Sequence, residues 1–458
     1  MNQSKEPNDR NHALARRLGL FDATMIVMGG IIGSGIFINP YVVAQQVHSN
    51  FLILGAWAFG GLIALAGAFI YAELSSQSSA SGGQYVYLRD AFHPSLAFIY
   101  GWTLLLVIQT GGMAAVAVTF AKYLMELGGG QASDTRAALV AAVALGVLTI
   151  INCLGVRAGS TTQNVFMILK LLAIVALVVF GLTVSGASRG AATTVAAAES
   201  SPTIWQALIA FGAALIPVQF AYGGWQTACF VAGEVREPRK NLPRGLLLGV
   251  LGVIAVYLSV NFVCLYALGP QGLAATKTPA SAVMRLALGE RGARFIAAGI
   301  AVSTLGFLSQ SMLTAPRVYF AMAEDGLFFK SLAKLNRARA PAFAIALQGA
   351  LAIIICFSGR YEQILNYVVS SDVIFFALTA ACVFAFRRRT PANNANGAFR
   401  IPGHPLTTLF FIAACGAVAF STIHRYPSNS LIGLVIMLSG LPVYFVWASM
   451  RKPRGTGS

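Results

Sequence analysis

Met28-Gly-Gly-Ile-Ile-Gly-Ser-Gly-Ile-Phe37 lies in the middle of the first long apolar segment, where a membrane-spanning helix should be most regular. It carries Gly29, Gly30, Gly33 and Gly35, with Ser34 as its only polar side chain. Each glycine in a helix interior costs about 1 kcal/mol relative to alanine. A chain that only had to cross lipid would gain nothing from four of them. One reading is a close helix-packing face, since Gly29 and Gly33 have the G-x-x-x-G spacing. The other is a helix broken at membrane depth, where irregular backbone survives only if protein or a watery cavity satisfies its N–H and C=O groups. The second half-helix would then present free N–H groups inward, a positive end suited to a carboxylate.

The rest of the chain sets this stretch in a membrane. Hydrophobic residues make up 57% and charged residues 10%, against about 25% charged in an ordinary soluble domain. Apolar runs of roughly 20 residues or more fill most of the length. The expected fold class is an all-α integral membrane protein with about twelve transmembrane helices. The first apolar run is too long for a signal peptide and no A-x-A-like site follows it, so an uncleaved first helix is expected.

The net charge of +17 does not point to nucleic acid. Arg16, Arg17, Arg236, Arg239, Lys240, Arg244, Lys330, Lys334, Arg337, Arg339, Arg387, Arg388, Arg389, Arg451, Lys452 and Arg454 gather in alternate connections and at both termini. This positive-inside pattern places both ends in the cytoplasm and requires an even number of spans. The six cysteines, Cys153, Cys229, Cys264, Cys356, Cys382 and Cys415, all fall in apolar segments without C-x-x-C spacing. They read as small packing residues rather than as metal or redox ligands.

Spans are expected at about 19–46, 51–75, 94–126, 137–155 and 163–185, after a polar tail over 1–18. An outer loop near 186–202 leads to a sixth span, about 203–233, with Phe220-Ala-Tyr-Gly-Gly-Trp225 at its middle. Paired Gly-interrupted segments in corresponding halves are the best sequence pointer to an inverted-repeat transporter with a midplane site. Further spans are expected at about 243–269, 293–323, 341–358 and 362–386, with short outer helices possible over 271–292. A basic, Pro/Gly-containing linker, 387–404, precedes a final pair near 405–422 and 429–449 and a tail from 450 to 458.

No catalytic signature such as H-E-x-x-H, a P-loop or G-x-S-x-G occurs, and the five histidines are scattered. Neither enzyme chemistry, nor a metal, nor a cofactor is expected. Intramembrane ionisable residues are costly and usually functional, which singles out Lys170 and Asp372. Lys170 lies about two turns from a span end; it either snorkels to the interface or stands as a fixed internal cation. Asp372 either pairs with a polar group, lines an aqueous path, takes part in proton movement or is structural. Glu73 and Arg317 read as ordinary interfacial residues. Gln109, Thr110, Ser303 and Thr304 serve either helix–helix hydrogen bonding or ligand contact.

Taken in order, Ile31-Ile-Gly-Ser-Gly-Ile-Phe37, Tyr71-Ala-Glu-Leu74 with Gly82-Gly83, and Phe220-Ala-Tyr-Gly-Gly-Trp225 carry a resemblance. Glu234 with Pro238-Arg-Lys-Asn-Leu-Pro243, Arg317 with Glu324-Asp-Gly-Leu327, and Gly440-Leu-Pro-Val-Tyr444 extend it. The chain resembles the amino acid–polyamine–organocation transporter superfamily over nearly its whole length, most closely the L-type amino acid transporter branch and its bacterial relatives. The resemblance implies a LeuT-type fold: five-helix repeats over 19–185 and 186–386, inverted relative to each other, plus two peripheral helices over 405–449. It implies that the substrate carboxylate meets the N–H groups of Gly33, Ser34 and Gly35. The amino group would meet carbonyls at Ile31, Phe220 and Gly223, with Ala221 in the same stretch. Phe220 would gate the substrate and Trp225 would lie nearby. Lys170 matches the lysine that replaces a sodium site, with Ser303 as its neighbour, and Lys170, Ser303, Phe220 and Asp372 are the coupling and gating candidates.

Gly223 stands where members that take cationic amino acids can carry an acid, which implies neutral substrates. Three departures are noted: Ser79 replaces a proline, Gln84 an acid and Gln226 a frequent asparagine. The loop after the third span lacks the cysteine through which animal members join a glycoprotein, so no disulfide-linked partner is expected. The expected function is a sodium-independent exchanger of neutral L-amino acids in the cell membrane. Proton symport stays open, because a lysine at the sodium position also occurs in proton-coupled members. A binding-only sensor is the rival from another class; tails of about 18 and 9 residues are expected to leave no room for a signalling domain.

Overall fold

A computed structural model of the chain describes residues 16–78, 80–127, 133–184, 203–358, 361–389, 399–425 and 427–450. Most of the polar N-terminal tail, the outer loops at 128–132 and 185–202, most of the linker, the C-terminal tail and Ser79 lie outside the described residues. The first apolar segment forms two helices, α1 (Leu20–Ile31) and α2 (Gly35–Gln46), bent by 41° about a three-residue break. The second span, α3 (Asn50–Gln77), is continuous, and the short α4 (Gln84–Ala91) follows the Gly82-Gly83 turn. In that turn both glycines have positive φ, a backbone region that L side chains avoid.

The third span joins α5 (Pro94–Thr103) to α6 (Thr110–Leu127) through a π-helical stretch, Leu104–Gln109. Helices α7 (Asp134–Cys153) and α8 (Val156–Leu182) complete the first half. The sixth span runs as α9 (Ile204–Tyr222), breaks at Gly223 and Gly224, and resumes as a tight helix over Trp225–Glu234. Next come α10 (Pro238–Ala275) and α11 (Pro279–Thr314), each kinked where a glycine adopts positive φ, Gly269 and Gly289. These kinks set off the short outer helices expected over 271–292. The chain continues through α12 (Pro316–Glu324), α13 (Ala342–Cys356), α14 (Tyr361–Arg389), α15 (Leu406–Arg425) and α16 (Pro427–Met450).

Among the described residues ten helical stretches are long and apolar enough to cross a bilayer, and the bent α1–α2 pair makes eleven. The expected ninth span is α13, whose 15 residues extend about 22 Å, less than the roughly 30 Å hydrocarbon core. The count of twelve therefore depends on admitting α13 as a short span.

Small residues let the helices approach closely, as expected where lipid supplies no hydrophobic drive between them. α1 packs on α10 at Gly245 and Gly249, where an added Cβ would stand 2.9 Å from Ala23 and 2.6 Å from Val27. α8 meets α11 at Gly299, where it would stand 2.6 Å from Ala173. On the outside, Leu139, Val143, Val147 and Ile150 form an exposed stripe along α7, the side a lipid-facing helix turns outward. The six cysteines are free, and all but the half-buried Cys153 are buried.

Ion pairs gather at one end of the bundle. Arg317 on α12 donates to both carboxylate oxygens of Glu234 at 2.6 and 3.3 Å, and neither side chain is exposed at all. Arg387 on α14 forks onto Glu73 at 2.7 and 2.6 Å, and the Ile401 N–H donates to the same carboxylate. Arg89 binds Asp325 at 2.5 Å. The main chain of Arg17 and Leu18 donates to the Glu234 carbonyl, and Arg236 N–H donates back to Leu18. This corrects the reading of Glu73 and Arg317 as ordinary interfacial residues: each meets an opposite charge from a distant part of the chain, which makes burial tolerable.

Removing one member of the Arg317–Glu234 pair leaves the other buried and uncompensated, at a cost of about 3–5 kcal/mol. Glu234→Gln and Arg317→Met are each expected to lower the unfolding midpoint in detergent. The double variant should recover most of the loss, and a double variant as unstable as the worse single one would contradict this account.

Candidate functional site

The break after α1 frees the carbonyls of Ile31, Ile32 and Gly33 at membrane depth, and each receives a donor from a different span. The Ile31 oxygen accepts from Tyr257 Oη at 3.0 Å and from Gly33 N–H at 2.9 Å. The Ile32 oxygen accepts from Lys170 Nζ, and the Gly33 oxygen from Ser303 Oγ at 3.4 Å. Lys170 is buried, so its amine is held internally and does not snorkel.

At the start of α2 the N–H groups of Ser34, Gly35 and Ile36 donate to nothing among the described residues. They are the orphan donors of a helix N-terminus. Gly33 was expected among them, but its N–H folds back onto Ile31.

The second break answers the first. The Gly223 N–H bonds to the Gln219 carbonyl at 2.9 Å, and the Gly224 N–H turns to Gln226 Oε1 at 3.1 Å. The carbonyls of Phe220 and Gly223 consequently accept nothing among the described residues. The two breaks touch at Gly30 and Gly224: a Cβ at Gly30 would stand 2.7 Å from the Gly224 carbonyl oxygen. Gly224 also has φ +119°, so close approach and backbone conformation both demand glycine. Tyr257 Oη spans the pair, lying 3.0 Å from the Ile31 oxygen and 2.9 Å from the Ala221 oxygen. Its ring is wedged edge-on against Trp57 and packs on Tyr222 at 4.9 Å.

A cavity opens between the breaks. Its volume is about 100 Å³, against about 10–15 Å³ for one water, so a small solute fits. Of the expected site residues, Ile31, Gly33, Ser34, Gly35, Phe220, Ala221, Gly223 and Asp372 line it. Lys170 and Ser303 do not line it; they stand behind the first break and hold its carbonyls. Trp225 does not line it either. Its ring is buried against Phe376 at 5.0 Å and Phe411 at 6.3 Å.

Sequence reasoning missed Tyr257, Gln310 and Ser311, and left Gln109 open. A hydroxyl in the middle of an apolar span was the available signal for Tyr257, but nothing in the sequence told what it would meet. The π-helical stretch brings Gln109 into the cavity wall, a placement such bulges often serve at functional sites. Gln310 donates to Thr227 Oγ1 at 2.5 Å, which in turn donates to the Gly224 carbonyl at 2.7 Å.

The cavity thus presents free N–H donors at a helix N-terminus on one side and free carbonyls on the other. Such a pair of opposed helix ends can hold a small molecule that is anionic at one end and cationic at the other. No group of three potential metal ligands occurs among the described residues.

A family model described as amino acid permease matches residues 18–448. The serine/threonine exchanger SteT of Bacillus subtilis is 30% identical, over 97% of this chain and 99% of the relative. The large neutral amino acids transporter small subunit 2 of Homo sapiens is 30% identical, over 95% of this chain and 81% of the relative. The human b(0,+)-type amino acid transporter 1 is 28% identical, over 98% and 91%.

Gly224→Ala is expected to wreck the crossing of the two breaks, and Gly212→Ala, with nothing within 4 Å of the new Cβ, to be neutral or slightly stabilising. The yield of monodisperse protein and the unfolding midpoint in detergent read both. Equal behaviour of the two variants would refute the close backbone contact.

Proposed function

Because the chain belongs to the amino acid permease family, whose members here are transporters and not enzymes, we propose that it is a sodium-independent exchanger of neutral L-amino acids working by alternating access. The observation that carries this reading is the pair of breaks around one cavity, with free donors at the first and free acceptors at the second. In it, the substrate carboxylate accepts from the N–H groups of Ser34 and Gly35. The ammonium donates to the carbonyls of Phe220 and Gly223. Ile31 contributes less than the resemblance implied, since its oxygen already accepts from Tyr257 and Gly33. Gly33 and Ala221 form wall, and the Phe220 ring acts as the gate.

Lys170 with Ser303 accounts for sodium independence: an ammonium already donates to the freed carbonyl of Ile32, where a bound cation would otherwise find its oxygens. That the Bacillus relative is a serine/threonine exchanger supports exchange over uptake. The ion-paired, Arg-rich end is assigned to the cytoplasm of the cell membrane, and a four-helix bundle and its surrounding scaffold rock about the fixed midplane site. No cysteine stands in the loop after α6, so the carrier acts without a disulfide-linked subunit.

The test is uptake of labelled serine, alanine and leucine into sodium-free proteoliposomes, empty or preloaded with unlabelled amino acid. Exchange requires uptake that depends on preloading and ignores an imposed proton gradient. Uptake into empty vesicles that collapses with an uncoupler would replace exchange by proton symport, and binding without uptake would favour a sensor. Phe220→Ala is expected to slow exchange about tenfold with a smaller change in binding. Lys170→Ala strands the Ile32 carbonyl, a loss of about 1–3 kcal/mol. It is expected to reduce turnover more than yield of folded protein; unchanged turnover would remove Lys170 from the mechanism.

A further inference from the structure

The backbone of the two breaks accounts for one part of the cavity; the rest of its wall is mostly apolar, with a few polar side chains set in it. Asp372 on α14 lines it together with Gln109, Gln310 and Ser311. Gln310 Oε1 and Ser311 Oγ are buried with no hydrogen-bond partner among the described residues. Asp372 is the only ionisable side chain in the lining, and among the described residues no cation comes within ion-pair distance of it. Lys170 does not supply the missing charge, because it does not line the cavity and its ammonium is engaged by the Ile32 carbonyl. Tyr71, Tyr100 and Cys415 are the other polar side chains near Asp372.

A carboxylate at membrane depth is costly unless it is paired. The buried glutamates of the bundle obey this: Glu234 has Arg317 and Glu73 has Arg387. Asp372 faces the space that the substrate enters. On the same wall, Val368 and Phe376 line the cavity one turn before and one turn after it. Two apolar side chains flanking a carboxylate match a short methylene chain that ends in an ammonium group.

We propose that this cavity also takes amino acids with an amine-bearing side chain, of the size of 2,4-diaminobutyrate or ornithine, and that Asp372 is the specificity-determining counter-ion for the side-chain ammonium. The inference rests on the reading of the breaks as the zwitterion site. It revises the expectation of purely neutral substrates, which followed from the missing acid at Gly223: a different span delivers the acid to the same cavity.

The test uses the full-length protein in proteoliposomes preloaded with serine, with labelled L-ornithine and L-serine as external substrates. Wild type is expected to take up both. Ornithine-for-serine exchange carries net charge, so an inside-negative potassium diffusion potential should accelerate ornithine uptake and leave serine-for-serine exchange unmoved. Asp372→Asn should raise the half-saturating concentration for ornithine relative to that for serine at least tenfold, and Asp372→Glu, which keeps the charge, should restore part of that ratio. Wild type that exchanges serine and ignores ornithine would overturn the proposal, and so would an Asp372→Asn ratio equal to that of wild type. If no amino acid is exchanged, the transport reading fails instead. Binding of labelled ornithine to detergent-purified wild type and Asp372→Asn then decides the inference by itself: a tenfold difference supports it and equal binding refutes it.

Discussion

Three consecutive carbonyls at membrane depth need donors, and the protein is arranged around supplying them. Each polar backbone group left bare in hydrocarbon costs several kcal/mol. The oxygens of Ile31, Ile32 and Gly33 are met by Tyr257 from α10, Lys170 from α8 and Ser303 from α11. Three spans are thereby tied to one break, and displacing α8 or α11 relative to α1 would leave the Ile32 or the Gly33 carbonyl without a donor. The donors that the break releases on its other side, at Ser34, Gly35 and Ile36, meet no acceptor among the described residues. Satisfied acceptors behind the break and free donors in front of it are two sides of one geometry.

The glycine-rich stretch serves packing and breakage together. Gly29 lies under the amide of Gln163 on α8, which any side chain there would have to displace. Gly30 lies against the backbone of Gly224, so the two broken spans meet main chain to main chain. Gly35 faces Ala221, where a Cβ would stand 3.2 Å from the Cα. A helix that packs this tightly on both flanks brings the second break into register with the first. Tyr257, one hydroxyl between two carbonyls, then marks how near the breaks lie.

Charge follows the same demand for partners. At the Arg-rich end, carboxylates and guanidinium groups are paired and largely removed from solvent. A buried ion pair is worth little net stability against well-packed apolar residues. The main chain at Arg17 and Leu18, bonded to the carbonyl of Glu234, straps the start of the chain across these pairs. Asp372 is the exception to pairing, and it stands in the cavity wall rather than at the ion-paired end.

The membrane class, the order of the spans and the two places where helices break were all legible in the residues alone. Hydropathy and glycine placement act locally, through the cost of burying backbone and the loss of helix propensity. Lys170 and Asp372 stood out for a similar reason, because an ionisable residue in an apolar run is visible without any partner. The partners themselves were not legible. Gly33 was expected to offer its N–H and instead folds it onto Ile31. Trp225, the last residue of the second glycine motif, turns away from the cavity and packs on Phe376. Tyr257, Gln310 and Ser311 reach the site from spans whose sequence gives no sign of it, and Glu234 finds Arg317 across 83 positions. Such pairings depend on which faces of distant helices meet, and that is fixed when the spans pack against one another.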